Sequence, residues 1–498
     1  MTMLLRRRLA TAAFAGLLSF SAVRAQTEPA PAAAPAATPD AELSLEACIA
    51  RALQKNFDLE IGRYNPQIAK EDITVSKGAY EPVLTATGTR SHSDYGATTS
   101  SPSATSATTS DLRVGVTQQL YSGTTLSASS SLDRTPAFQS LNPAYNADIT
   151  LSARQSLLRG LGTSVNKAFI HRAEIGLLRA NLDFKTAALT VIQNTETAYY
   201  NLAFAREQLN VFNLSLALAN KLFDEAKTRR DTGVATDLDA LQAEVGVANA
   251  RRNVVLSGQT ALDRQDALLA LIGQFELDHA VGTVRFSEVR DATPVFASSF
   301  QMAKQNQSDY LSAAAAIDQL KLDLVVARDA TKPDLSVGGA LGFNGNRTSG
   351  GDALSDALAR QNHSWQVDFS FTYPWGQAAD KAKYRQSLAT LNREQVRLHQ
   401  LEQTIEVQVR SAVRSVETST ESVKIATLAS DLSQKQYELE KARFDAGLST
   451  SYRVLQAQND LDTARVNELQ AKVTLHTAIS ALHRIEGSAL QRYGVTLP

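Results

Sequence analysis

Apolar residues recur along this chain with two periods. Trp365, Val367, Phe369, Phe371 and Tyr373 alternate with Gln366, Asp368, Ser370 and Thr372, a period of two that predicts a strand with one apolar and one polar face. Leu335, Val337, Leu341 and Phe343 interleave with Ser336, Gly338, Ala340 and Gly342 in the same way. Leu112, Val114 and Val116 alternate earlier in the chain, Leu126 to Leu132 follow the turn Tyr121-Ser122-Gly123, and Ile149, Leu151 and Ala153 complete the set. The Ser/Thr/Gly-rich segments 96–110 and 344–362 read as long exposed loops. Short turns on one side and long polar loops on the other are the pattern of an outer-membrane β-barrel, although a soluble β-sandwich shows the same alternation.

Elsewhere the period is helical. Ile175, Leu182 and Leu189 form one stripe, reinforced by Leu178, Ile192 and Tyr199; Leu177, Phe184, Val191, Ala198, Ala205 and Phe212 form a second. Two positions along a helix turn it by roughly 200°, so the stripes lie on nearly opposite sides and the helix needs a neighbour on each flank. That is the requirement for a stave in a wall of helices. Residues 163–230 hold no proline and only Gly176 as interior glycine, and 377–446 hold neither. At ~1.5 Å per residue each rod is roughly 100 Å long. Each then turns, at Gly233 or Gly447, and returns as a shorter helix to Gly273 or Gly487. Thr236 and Thr450 suit the N-cap after the turn, and Asp239 completes a capping box in the first copy alone.

These two hairpins are one unit built twice. Residues 162–273 overlie 376–487 without a gap: Lys227, Arg229, Asp231, Gly233 and Thr236 return as Lys441, Arg443, Asp445, Gly447 and Thr450, and Leu241-Gln242-Ala243 as Leu455-Gln456-Ala457. Upstream, at a second offset, Asp58 and Pro82 return as Asp309 and Pro333. Helices over 43–80 and 301–331, ending before Pro82 and Pro333, would extend the short rods: 301–331 above the helix ending at Gly273, and 43–80 above the one ending at Gly487, with Pro66 kinking or interrupting the latter. A duplicated fold of long elements suggests pseudo-symmetric assembly rather than a single catalytic cleft.

The N-terminus sets the compartment. Arg6-Arg7-Arg8, the apolar run Leu9 to Phe20 and the small-residue site Val23-Arg24-Ala25 read as a signal peptide over 1–25, followed by a Pro/Ala-rich linker over 26–40. No cysteine follows the cleavage site, so no lipid anchor is expected there. Cleavage removes four arginines and no acid, taking the formal net charge from −1 to −5, which does not invite nucleic acid. No later run approaches the ~20 apolar residues of a spanning helix, so any membrane passage falls to strands. The remaining organisation is a first repeat over 41–275 with strands about 83–156, an equatorial segment over 276–300, a second repeat over 301–487 with strands about 335–373, and a tail over 488–498.

Chemistry is sparse. The closest histidine pair on a helix, His476 and His483, has no cysteine or acidic ligands at useful spacing; Gly160-x-Gly162 lacks the third glycine of a dinucleotide loop; and no nucleophile elbow or phosphate-binding loop occurs. The single cysteine, Cys48, reads as a small buried helix residue. Neither an enzyme nor a cofactor or metal site is expected.

The opening Leu43-Ser44-Leu45-Glu46-Ala47 with Ala52-Leu53 and Asn56, the joints Pro82 and Pro333, the doubled Gly-centred turns, Arg443-Phe444-Asp445-Ala446-Gly447 and Val454-Leu455-Gln456-Ala457-Gln458 together resemble the TolC-type outer-membrane efflux family across nearly all of the mature chain. The resemblance implies a mainly α protein with a β-barrel portion: a homotrimer whose long-helix hairpins form a periplasmic α-barrel joined to a shared barrel in the outer-membrane lipid. It implies a passive exit duct for efflux or type I secretion, served by a periplasmic adaptor (membrane fusion) protein and an inner-membrane pump or ABC transporter. Adaptor contact would fall on Arg229, Gly233, Thr236, Arg443, Phe444, Gly447 and Thr450. Where well-known members carry paired aspartates at the periplasmic aperture, this chain has Arg453 and Gln456, keeping Asp239 in the first repeat. Arg453 and Asp239 are expected to latch the closed tip and to weaken cation preference. The extra hairpin at Tyr121-Ser122-Gly123 leaves open whether a trimer has 12 or 18 strands. A surface adhesin or soluble coiled-coil scaffold is the alternative to a channel.

Overall fold

A computed structural model of the chain describes residues 43–96, 105–135, 144–273, 282–286 and 294–495. The signal peptide, the linker, parts of the loop over 96–110 and of the segment 276–300, and the last three residues lie outside the described residues.

Helices α1 (Leu45–Lys55) and α2 (Phe57–Gly78) lead into strands β1 (Val83–Tyr95), β2 (Thr105–Gln119), β3 (Thr124–Thr135) and β4 (Ala144–Ser156). The one-turn α3 (Thr163–Asn166) precedes α4 (Ala168–Asp231) and α5 (Asp237–Ile272). The second copy runs α6 (Phe296–Asn306), α7 (Ser308–Ala330), β5 (Asp334–Arg347), α8 (Gly350–Leu358), β6 (Asn362–Thr372), α9 (Ala378–Asp445) and α10 (Ser451–Glu486), and ends with the short α11 (Ala489–Arg492). The long rods α4 and α9 have 64 and 68 residues, or roughly 100 Å each.

The six strands form one antiparallel sheet in sequence order. Its register places Leu84, Val116, Ala128, Leu151, Leu341 and Trp365 in one row across all six strands, and Thr85, Gly115, Ser129, Thr150, Gly342 and Ser364 in the next row. Strand side chains alternate, so the rows open on opposite faces, one apolar and one polar. Along β6 the apolar face is bare: Trp365 is 74% exposed and Phe369 75%.

The expected loop over 344–362 is mostly ordered structure. β5 continues to Arg347, and α8 lies on the top of the apolar face, burying Ala353 and Ala357 against Ala147 beside Leu132, Tyr145 and Ile149. The approach is close because Gly345 has no side chain: a Cβ there would stand 2.1 Å from the Ala353 carbonyl oxygen. Residues 105–110, also expected in a loop, belong to β2.

Two further expectations are corrected. The break in the first upper helix falls at Asn56, not at Pro66, which sits inside α2. Asn56 leaves helical conformation (ψ 128°), and its Oδ1 accepts from the Asp58 and Leu59 amides, which starts a new helix. Pro66 removes one backbone donor, the one that would bond the Gly62 carbonyl, and α2 runs on through it. The second upper helix breaks at the equivalent position, Gln307.

The composite rods also pair the other way. Cys48, Ile49 and Ala52 of α1 bury against Leu268 and Ile272 at the end of α5, and Asn56 Nδ2 reaches toward the Leu271 carbonyl at 3.5 Å. Ala303 of α6 buries against Leu475, Ala478 and Leu482 near the end of α10, where a Cβ on Gly487 would meet the Asn306 carbonyl oxygen at 2.9 Å. Each repeat's upper helices therefore stand on its own short helix. Periodicity shows that a short rod needs a continuation; the fit of the two buried faces decides which helix supplies it. The tail joins in as well, since Ala489 and Leu490 are buried in the same core as α1, and Tyr493 donates a hydrogen bond to the buried Glu196 of α4.

The staves lie in the order α2 over α5, then α4, then α7 over α10, then α9, with α4 in contact on both flanks as its two stripes require. Alanines at 188, 203, 205, 219 and 226 let neighbouring helices approach it closely.

Candidate functional site: the hairpin tips and the barrel wall

Both tips are built by the same backbone device. Gly233 and Gly447 take φ of +78° and +76°, a left-handed conformation in which an L side chain is strained. Val234 N then donates to the Arg229 carbonyl at 2.8 Å, and Leu448 N to the Arg443 carbonyl at 2.8 Å, closing each rod before the chain reverses. Past the turns the copies diverge. Thr236 Oγ1 accepts from the Asp239 amide at 3.2 Å while Asp239 Oδ2 accepts from the Thr236 amide at 3.0 Å; Thr450 makes no side-chain cap bond.

The structure brings several expected tip residues together. Phe444 is 4% exposed, packed with Leu222 and Val454. The Arg229 guanidinium lies over its ring at 4.1 Å. Lys441 Nζ bridges Glu225 at 2.6 Å and Asp445 at 2.9 Å, so the ends of α4 and α9 are joined by both charge and ring contacts. The starts of α5 and α10 also touch: Ser451 Oγ donates to the Asp239 carbonyl at 3.3 Å, and a Cβ on Gly246 would stand 2.8 Å from Leu455 Cδ2. Arg443 points away to Glu440 at 3.3 Å.

Asp239, Arg453 and Gln456 lie within the first turns of these two helices, Arg453 and Gln456 exposed. Asp239 spends its carboxylate on the capping box, and among the described residues no ion pair joins it to Arg453 within one chain. Higher in the α4–α10 seam, Gln458 Nε2 donates to the Ser215 carbonyl at 2.8 Å, and burial raises the pKa of Asp462, opposed by its bond to Ser215 and by Arg465.

Sequence reasoning missed the apolar skin of the tips. Val234 is 78% exposed and its counterpart Leu448 73%; Leu238 and its counterpart Tyr452 are also exposed, as is Leu241. The signal was available: these side chains recur at equivalent positions of the repeat yet fall outside the packed stripes.

At the other end of the rods, Pro82 and Pro333 sit one residue before β1 and β5. On the polar face of the sheet, Arg154 of β4 pairs with Asp368 of β6 at 2.6 Å, crossing over Gly338 of β5, where a Cβ would lie 2.5 Å from Asp368 Oδ1. His476 is buried and stacks on Tyr200 at 4.0 Å. No group of side chains suited to holding a metal occurs among the described residues. Among the described residues, no helix is long and apolar enough to cross a membrane.

The chain matches the model of the family described as outer membrane efflux protein over residues 124–274 and 300–488. It is 26% identical over 391 residues to the pyoverdine export outer membrane protein OpmQ of Pseudomonas aeruginosa, covering 75% of both chains. It is 22% identical over 400 residues to the outer membrane protein TolC of Escherichia coli, covering 72% of this chain and 80% of that one. Its fold superposes on the outer-membrane channel OprN with a TM-score of 0.69 at 17% identity, covering 89% of this chain and 90% of that chain. The family is one of channel proteins, and this chain belongs to it as an outer-membrane efflux protein with a long periplasmic helical part.

Proposed function

We propose that three copies of this chain close into a duct that carries solutes or secreted polypeptides from the periplasm across the outer membrane, as a passive channel and not an enzyme. The observation that carries this reading is the open form of the single chain. The sheet is unpaired at the outer edges of β1 and β6, its apolar face is bare along β6, and the helical wall ends in unpaired staves. Closure into a cyclic trimer covers both edges.

An inner-membrane pump or ABC transporter would supply the energy, and a periplasmic adaptor would dock on the tips. Val234, Leu238, Leu448 and Tyr452, flanked by Arg229 and Arg443, offer that adaptor exposed apolar anchors beside fixed charge. At the aperture, Arg453 of one chain facing Asp239 of a neighbour would latch the closed state and weaken cation preference. Export of pyoverdine by OpmQ makes a bulky polar metabolite a reasonable cargo to test first.

The test is reconstitution of the detergent-purified protein in a planar bilayer, with the mass of the particle measured on the same sample. Trimers with small, stable conductance are expected, and Arg453→Ala should raise conductance and cation selectivity. A monomer that is soluble without detergent and conducts nothing would overturn the proposal; an Arg453→Ala channel identical to the wild type would sink the latch alone.

A further inference from the structure

We infer that the β2–β3 hairpin is part of the membrane wall, so that the trimer proposed above closes an 18-stranded barrel nearly as wide as its helical duct. The alternative is a hairpin folded as a flap over a wall of β1, β4, β5 and β6. That would leave four wall strands per chain, or 12 per trimer.

Four observations place the hairpin in the wall. First, β4 pairs with β3 along its whole length, Thr124 with Gln155 through Thr135 with Ala144, and β1 pairs with β2 from Val83 with Thr117 to Tyr95 with Thr105. β4 is paired on both sides, with β3 and β5, so it has no free edge left to meet β1, whose one unpaired side is the outer edge of the sheet. Second, β2 and β3 have 15 and 12 residues, enough to cross the ~25 Å apolar band at a tilt that asks for ~9–11 residues.

Third, the hairpin is patterned like its neighbours and in step with them. Val116 and Ala128 stand level with Leu84, Leu151, Leu341 and Trp365, and Gly115 and Ser129 level with Thr85, Thr150, Gly342 and Ser364. Leu112, Val114, Val116 and Leu126 are all exposed on the apolar face. The other face carries Arg113, whose Nε lies 3.0 Å from Asp111 Oδ2. A soluble flap has no reason to hold four exposed aliphatic side chains in line with the bare face of the wall.

Fourth, the periplasmic turn of the hairpin is seated in the joints of the staves. Ser156 N donates to the Gly123 carbonyl and Gly162 N to the Ser122 carbonyl, both at 3.2 Å. Tyr121 packs on Tyr80 with ring centroids 4.4 Å apart, under the Lys167 ammonium at 4.8 Å. Gly123 has φ +87°, and a Cβ there would stand 2.2 Å from the Gly160 carbonyl oxygen. The turn thus bridges the joint leaving α2 and the joint entering α4.

The consequence is a matching of radii. Strands ~4.8 Å apart and tilted ~40° enclose a radius of about 18 Å when there are 18 of them, and about 12 Å when there are 12. Twelve helical staves, four from each chain, at ~9–10 Å spacing enclose about 17–19 Å. The wider barrel continues the helical wall with no step at the membrane. The narrowest point of the duct is then at the tips, and the barrel would pass any bulky polar solute that the opened tips admit.

The inference rests on the trimeric channel and is tested separately from it. In a Cys48→Ala background, single cysteines at Val116 and Ala128 on the apolar face, and at Thr117 and Ser129 on the polar face, would carry a polarity-sensitive fluorophore in reconstituted vesicles. The first two should be quenched by lipids with brominated chains and the last two by aqueous iodide; two sites per face keep the test alive should one variant fail to assemble. Four labels quenched by iodide and none by lipid would overturn the inference while leaving a trimer of correct mass intact. A particle that is not a trimer would instead overturn the functional reading. As a second readout, polyethylene glycol of ~10 Å hydrodynamic radius added on the outer side should enter the wide barrel and lower its conductance; exclusion of that polymer would point to the narrow one.

Discussion

The Arg229 guanidinium lies 4.1 Å from the centre of the Phe444 ring and donates through Nη1 to the Phe444 carbonyl at 3.1 Å, tying the end of one long rod to the end of the other. The two residues are not repeat equivalents, since Phe444 corresponds to Arg230. The tip is thus asymmetric, with one buried ring serving both hairpins.

Phe444→Ala should loosen the tip by about 3–5 kcal/mol, the usual cost of removing a buried phenyl ring. Arg229→Ala should cost about 0.5–2 kcal/mol, because a partly exposed cation–ring contact is weaker. Hydrogen exchange across 220–232 and 440–455 measures both, and equal protection in wild type and Phe444→Ala would refute the tie.

The capping difference between the repeats predicts unequal responses to equal substitutions. Thr236→Ala should fray the start of α5 by about 1 kcal/mol. Thr450→Ala removes no cap bond and should stay within about 0.5 kcal/mol. Amide exchange in the first turn of each helix is the measurement; a larger effect at Thr450 would contradict it.

Acid should weaken the end of α10. Burial and the Arg492 guanidinium, 3.1 Å from Nε2, hold His483 down at about 4. Its ordinary value is about 6.5, so the folded state favours the neutral ring. The stability this gives is complete above the ordinary value and is lost as pH falls through the folded one. His483→Gln should therefore flatten the fall in melting temperature between about pH 6.5 and pH 4. An unchanged pH profile would show that His483 is not responsible.

Asp462 works in the opposite sense. Its pKa is raised by burial, so its carboxylate weakens the fold as pH rises from the ordinary value of about 3.9 through the raised one. Asp462→Asn should raise the melting temperature at neutral pH and leave it unchanged in acid. A variant less stable at pH 7 would mean that the charge is needed by Arg465 or Ser215.

Gly123→Ala introduces a left-handed L residue, at a cost of about 1–2 kcal/mol, and a Cβ in the space of the Gly160 carbonyl. Assembly into trimers, read by electrophoresis without boiling, should fall sharply. Gly176→Ala, inside α4 with open space around it, is the matched control and should assemble normally.

Much of this architecture is legible because it is local. A strand writes its faces at every second residue and a helix at every third or fourth, so Trp365 to Tyr373 and Ile175 to Leu189 declare their elements without reference to the rest of the chain. Gly233 and Gly447 mark the tips because no other residue enters the left-handed turn so easily. The duplication, the joints at Pro82 and Pro333 and the capping box at Thr236 follow from the same short-range rules.

Other features depend on surfaces that meet only when the chain is folded. Which upper helix stands on which short one is settled by the fit of Ile49 and Ala52 to Leu268 and Ile272, more than 200 positions apart. The placement of α8 depends on the bare backbone of Gly345, and Phe444 on Arg229 depends on two rods arriving side by side. The break at Asn56 instead of Pro66 belongs with them, because an asparagine that caps a new helix also faces the end of α5, whereas α2 runs on through its proline. Periodicity records what a residue does within its own element, and complementarity between elements has no fixed spacing along the chain; the sequence therefore determined the staves, strands and turns, and the tertiary structure decided how they stand on one another.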